Sequence, residues 1–143
     1  MKFKTITLSL LLPILALAGC ASGPKFNEYS NNIPVLSDDA GRVYVYRTSA
    51  FGAAIQPSVR IDGEVVGKSV PKGFFYVDRL AGSHEISTST EAKRSLTLNL
   101  EPGDEKYVRL EVKMGLLVGH IKPVLVESSV GKEEIIKTKY SGN

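Results

Sequence analysis

The stretch Ser95-Leu-Thr-Leu-Asn-Leu100-Glu-Pro-Gly-Asp104-Glu-Lys-Tyr107-Val-Arg-Leu110-Glu-Val-Lys-Met114 decides the fold class. Its apolar residues recur at every second position. Leu96, Leu98 and Leu100 form one series, and Val108, Leu110, Val112 and Met114 form another. That period belongs to a β-strand with one buried face, because successive side chains point to opposite sides. Pro102-Gly103-Asp104 between the series is a turn. Tyr107, Arg109, Glu111 and Lys113 fall on the opposite face of the second strand.

The same rhythm extends in both directions. Gly41-Arg-Val-Tyr-Val-Tyr-Arg47 reads as a strand with Val43 and Val45 on one face. Ser58-Val-Arg-Ile61 meets Asp62-Gly63, a dipeptide suited to a two-residue hairpin turn with positive φ at both positions. The segment 64–70 is the returning strand. Strands follow at 73–78, 84–90 and 120–126, and Pro123 assigns the last of these to an edge or a bend. For 131–140 two readings stand: Ile135, Ile136 and Tyr140 suit a helical face, and the segment also fits a final strand. Short strands separated by frequent turns predict an all-β domain, an antiparallel β-sandwich of about seven to eight strands over residues 41–143.

The order of Gly41-Arg-Val-Tyr-Val-Tyr-Arg47, Val59-Arg-Ile-Asp-Gly-Glu-Val-Val-Gly67, Gly73-Phe-Phe75 and Leu80-Ala-Gly-Ser-His84 resembles a family of small bacterial lipoproteins of unknown function. The resemblance covers roughly residues 40–126. It implies a β-sandwich akin to transthyretin-like and PEGA-type surface modules. Gly82-Ser83 departs from the Pro-Gly that usually precedes the His in that pattern. The shared motifs are turns and strands, which specify a fold and transfer no chemistry.

The N-terminus points the same way. Lys2 and Lys4 precede an apolar run from Ile6 to Ala18, about half to two-thirds of the roughly 20 residues a membrane span requires. Residues 1–19 therefore read as a cleavable signal peptide. Leu17-Ala18-Gly19-Cys20 resembles the lipobox of bacterial lipoproteins. In those proteins the Cys thiol takes a diacylglyceryl group and becomes the first residue of the mature chain. Two or three acyl chains, at about 0.8 kcal/mol per buried methylene, hold a protein on a membrane almost permanently. The expected partner is thus membrane lipid, through acylated Cys20. By the same resemblance Ala21, in place of the Asp that retains enteric lipoproteins at the inner membrane, favours the outer membrane. Residues 20–40 are rich in Ser, Gly, Pro and Asn and read as a lipidated, flexible tether.

Composition narrows the function. The 143 residues carry a formal charge of +3, but Lys2 and Lys4 depart with the signal, leaving 16 basic residues against 15 acidic ones. This balance gives no footprint for nucleic acid. Cys20 is the one cysteine, so an acylated chain has no thiol for disulfides, catalysis or metal.

The remaining motifs argue against chemistry. Gly63-Glu-Val-Val-Gly67-Lys68-Ser69 has three residues between its glycines where a phosphate loop needs four, and a strand where the loop needs a helix. His84 and His120 stand apart with no ligand-spaced carboxylates, which predicts no metal site. His84 is expected at the core edge, bonded to a turn carbonyl. Ser22-Gly-Pro-Lys25 and Ser129-Val-Gly-Lys132 match Ser-x-x-Lys, but one lies in the tether and the other beside Glu133 and Glu134. No cofactor and no enzymatic activity are expected.

Tyr44, Tyr46, Phe74, Tyr76 and Tyr107 fall opposite the aliphatic series. Exposed, they would make a binding platform for a glycan such as peptidoglycan, or for an envelope protein. The alternative is a face buried against another layer. Gly115-Leu-Leu-Val-Gly119 is an apolar run that either packs over the open end of the sandwich or meets lipid or a partner. The function expected is that of a lipid-anchored, non-catalytic binding or adaptor module on the periplasmic side of the envelope. Glycan recognition is the first alternative and a small hydrolase the second.

Overall fold

The computed structural model describes residues 19–90 and 92–143. The expected signal peptide, residues 1–19, lies outside them except for Gly19. Two sheets stack face to face. The first holds β1 (Ala40–Tyr46), β4 (Gly73–Leu80), β7 (Glu105–Lys113), β8 (His120–Val126) and β9 (Lys139–Tyr140), in the order β8-β7-β1-β4-β9. The second holds β2 (Ser58–Ile61), β3 (Glu64–Lys68), β5 (Gly82–Ser89) and β6 (Lys93–Leu100), in the order β3-β2-β5-β6. Two short helices, α1 (Phe26–Tyr29) and α2 (Ser128–Ile135), pack on the outside of the first sheet.

Valines and leucines at alternate positions fill the space between the sheets. Val43, Val45, Phe75, Val108, Leu110 and Ile121 meet Val59, Ile61, Ile86, Leu98 and Leu100. The β2–β3 hairpin turns on Asp62 and Gly63, at φ 52° and 84°, the positive values that a two-residue turn demands. Pro123 sits on β8, an edge strand, where a missing N–H breaks no central ladder.

Three expectations need correction. The sandwich is mixed rather than purely antiparallel, because β1 pairs in parallel with β7 and β4 in parallel with β9. The chain leaves β4 at the end where β1 begins and makes the hairpin β5–β6 in the other sheet. It then re-enters beside β1 at that same end, so β7 must run as β1 does. Met114 does not continue the inward face of β7. The strand stops at Lys113, and Met114 is 72% exposed.

The third correction concerns residues 20–40, which are not a free tether. The Ala21 N–H donates to the Pro71 carbonyl (2.9 Å), the Tyr140 N–H to the Pro24 carbonyl (2.8 Å) and the Phe26 N–H to the Thr138 carbonyl (3.1 Å). The C-terminal segment resolves into both readings in turn, α2 followed by the two-residue β9.

These pairings give the sandwich two poles. At one, β1 ends, β4 begins, and β7 turns into β8. At the other, β1 and β7 begin and β4 ends.

Candidate functional site

The five aromatics do come together, but as a second core. β1 is buried at every position from Ala40 to Tyr46. Val43 and Val45 face the other sheet, while Tyr44 and Tyr46 face outward into a layer with Phe74, Tyr107 and Ile135. Phe26, Tyr29, Ile33 and Tyr140 cover that layer. Phe26 meets Tyr44 and Phe74 edge-on at 5.9 and 5.1 Å, Tyr44 stacks on Tyr107 at 5.1 Å, and Tyr29 stacks on Tyr140 at 3.9 Å. Tyr44, Tyr46, Phe74 and Tyr107 are buried. Tyr76 alone is half-buried, under the Arg42 guanidinium at 4.9 Å. The expected platform is therefore corrected. Its apolar rings found partners within the chain, because residues 21–33 and the C-terminus lie over the sheet.

A partly buried polar network serves this closure. The Tyr46 hydroxyl donates to Glu134 on α2 (2.6 Å), and Arg109 binds both Glu134 (2.7 Å) and Glu111 (2.8 Å). Burial and then the Glu134 carboxylate push the Tyr46 hydroxyl well above the ordinary phenol range. Lys113 and Arg109 hold the Glu111 carboxyl below its ordinary value. A cleft of ≈ 400 Å³ opens beside these groups, lined also by Thr48, Ser49 and Phe51. Glu111 is ionised and paired at neutral pH, so it is not poised as a proton donor. The network clamps α2 to the sheet.

His84 bridges two turns, with Nε2 2.8 Å from the Leu80 carbonyl and Nδ1 2.6 Å from Asp62 Oδ2. The Asp62 hydrogen bond raises the His84 pKa, and the reciprocal bond lowers that of Asp62. This is the turn-carbonyl role expected of it. His120 starts β8 in the other sheet. Among the described residues no three His, Cys, Asp or Glu side chains are grouped as metal ligands. Lys25 and Lys132 are both exposed, whereas a catalytic Ser-x-x-Lys pair needs a desolvated Lys. Lys68 is exposed on β3, a strand and not a helix start.

The pole where β1 ends is different in character. Arg47, fully buried, has no carboxylate partner among the described residues and donates instead to backbone carbonyls. Nη1 reaches Ile55 (2.7 Å) and Ser69 (2.9 Å), and Nη2 reaches Phe51 (2.6 Å) and Gly52 (2.9 Å). Burial lowers its pKa. The sequence reading passed over Arg47. A charged residue ending an otherwise apolar strand was the available signal. Cys20 itself is exposed, directly before the docked Ala21. At the same pole the apolar run 115–119 packs over the sandwich only in part. Gly119 packs so closely on Ile55 that a Cβ would sit 2.6 Å from Ile55 Cδ1, yet Leu116 and Leu117 are 103% and 90% exposed. Among the described residues no helix is long and apolar enough to cross a membrane.

These features define a β-rich domain of two stacked sheets, with its aromatic outer face closed by the chain's own termini. Residues 37–121 match the family described as Protein of unknown function (DUF2846), and the chain belongs to that family. An uncharacterised protein of Haemophilus influenzae strain Rd is 35% identical over 128 residues, spanning 86% of this chain and 76% of that one. No solved structure matches. The family match runs from just before β1 to the start of β8, so it spans both sheets and leaves α1, α2 and β9 outside.

Proposed function

We propose that the protein is a lipid-anchored, non-catalytic module of the bacterial cell envelope, held on the membrane through acylated Cys20 and facing the periplasm. The observation that carries this reading is Leu17-Ala-Gly-Cys20 at the end of the apolar run 6–18, with Cys20 exposed directly before the docked Ala21. A lipid acceptor must be reachable by membrane-embedded enzymes, and exposure meets that need. Ala21 after the Cys supports an outer-membrane destination over the inner one. The adaptor role is favoured over glycan capture, since the rings that would stack on sugars are buried.

The test is labelled-palmitate incorporation with detergent partitioning. Wild-type protein should take the label and enter the detergent phase. Cys20→Ala should lose the label and accumulate as precursor. Equal labelling of the two, or an unlabelled wild type, overturns the reading.

A further inference from the structure

Five of the eleven large exposed apolar side chains among the described residues collect on two adjoining loops at one pole. Met114, Leu116, Leu117 and Val118 form the tip of the β7–β8 loop, and Phe51, 63% exposed, lies on the adjoining loop. Contacts tie these loops together. A Cβ on Gly52 would lie 3.2 Å from Val112 at the end of β7, and Gly119 presses on Ile55. Val65 and Leu80 lie on other strands, β3 and β4, and Leu80 is at the opposite end of the sandwich. Scattered exposure of that kind is ordinary, whereas a contiguous apolar tip marks an interaction surface.

Cys20 belongs to the same pole. The Ala21 N–H donates to the Pro71 carbonyl, two residues before β4 starts, and the Ser69 carbonyl just upstream accepts from Arg47, whose guanidinium also holds the Phe51 and Gly52 carbonyls. The docking of Ala21 leaves no spacer between this residue and the fold.

Unpaired charge leans along the same axis, although Glu111 and Glu134 pair with Arg109 near the Cys20 pole and Arg42, Arg79 and Lys106 pair with Asp78, Glu64 and Asp104 near the other. Lys68, Lys72, Lys93, Arg94 and Lys113 ring the Cys20 pole, where the strands β3, β5 and β7 end and β4 and β6 begin. Lys93 and Lys113 are paired to Glu85 and Glu111, while Lys68, Lys72 and Arg94 form no ion pair among the described residues. The opposite pole carries Asp38, Asp39, Asp62, Glu101, Asp104 and Glu105 at its turns and strand starts.

We propose that the Cys20 pole is a membrane-facing surface, and that the Met114–Val118 loop enters the interfacial layer of an anionic bilayer while the surrounding lysines and Arg94 meet its headgroups. This rests on the anchoring proposed above and adds an orientation and a second lipid contact. An apolar segment flanked by cations binds at such a boundary, with its side chains about 5–10 Å below the headgroup surface. Anionic lipid draws basic residues that lie within a Debye length. A fold held through Cys20 with no spacer brings this loop to the bilayer and points the acidic pole away from it.

The chain has no tryptophan, so one introduced residue reports alone. Leu117→Trp places it on the loop, and Leu80→Trp places it at the opposite pole. Both positions are exposed enough to take the ring without disturbing the fold. Each variant is purified with its lipid and incorporated into vesicles of phosphatidylethanolamine and phosphatidylglycerol containing lipid brominated high in its acyl chains. Flotation measures anchoring, and quenching measures insertion.

Leu117→Trp should be quenched about threefold or more over Leu80→Trp, given insertion to that depth. Replacing phosphatidylglycerol with phosphatidylcholine should reduce the difference. A protein that floats with equal quenching at the two positions overturns the membrane-facing pole and leaves the anchor standing. A protein that does not float, with no quenching at either position, overturns the anchor and this inference together. Quenching at Leu117→Trp without stable flotation supports the loop contact and refutes the anchor.

Discussion

Gly131 is the position where α2 touches the aromatic layer, and replacing it separates two opposed effects. In a free helix Gly131→Ala would stabilise by about 0.8–1.0 kcal/mol, because glycine is the poorer helix former. Here a Cβ would lie 2.2 Å from Tyr107 Cγ and 2.4 Å from Tyr107 Cβ, where carbon atoms settle at about 3.5–4.0 Å. Tyr107 cannot yield, since it is buried and stacked on Tyr44 at 5.1 Å. The helix must retreat by more than an ångström, stretching the Glu134 bonds to Tyr46 (2.6 Å) and Arg109 (2.7 Å). Overpacking costs about 1–3 kcal/mol, and weakening a charge-assisted bond costs about 1.5–3 kcal/mol at most. After the helix gain is subtracted, a net loss of about 1.5–5 kcal/mol is expected. Urea unfolding followed by circular dichroism measures it. Val130→Ala, on the exposed side of the same helix, should stay within about 0.5 kcal/mol. A midpoint for Gly131→Ala equal to or above that of wild type would refute the closure of the aromatic face by α2.

Two further outcomes test the core and its edge. Leu98→Ala, which empties a buried position between the sheets, should cost about 2–5 kcal/mol, while Thr97→Ala on the exposed face should cost at most about 0.5 kcal/mol; equal losses would reverse the face assignment. The His84–Asp62 pair makes stability depend on pH. His84 is raised above its ordinary 6.5, so its contribution is complete below about 6.5 and is lost as pH climbs through the raised value. Asp62 is lowered below 3.8, so its contribution holds above about 3.8 and is lost as pH falls through the lowered value. The stability gap between wild type and His84→Gln should therefore be widest between about pH 4 and 6.5 and should narrow above that window; a gap unchanged from pH 5 to pH 8.5 would contradict this.

The period-two series around Leu98 and Leu110 was a sufficient guide to the inner core, because one face of each strand is buried and the other is not. β1 breaks that simplicity. Val43-Tyr-Val-Tyr46 has apolar or aromatic side chains on both faces, the pattern of a strand covered on both sides. That pattern favours the buried alternative over an exposed platform. The cover was also present in the sequence. Phe26, Tyr29 and Ile33 stand at i, i+3 and i+7, a helical apolar stripe inside a segment whose Ser, Gly and Asn content suggested a tether. The parallel pairing of β1 with β7 had no local signal. It follows from how many strands the chain lays down in the other sheet before it returns.

The strap from Ala21 to Ile33 carries two roles in one piece of chain. It covers the aromatic layer, and it starts one residue after the proposed lipid attachment. Cleavage before Cys20 would leave in place every residue needed for closure. A lipoprotein with a long free linker searches a large volume, with reach growing as the square root of linker length. A docked strap removes that freedom. β7, with nine residues at about 3.3 Å each, spans roughly 30 Å between the poles. Anchored at Cys20, the acidic pole would stand about that far above the bilayer, facing away from it.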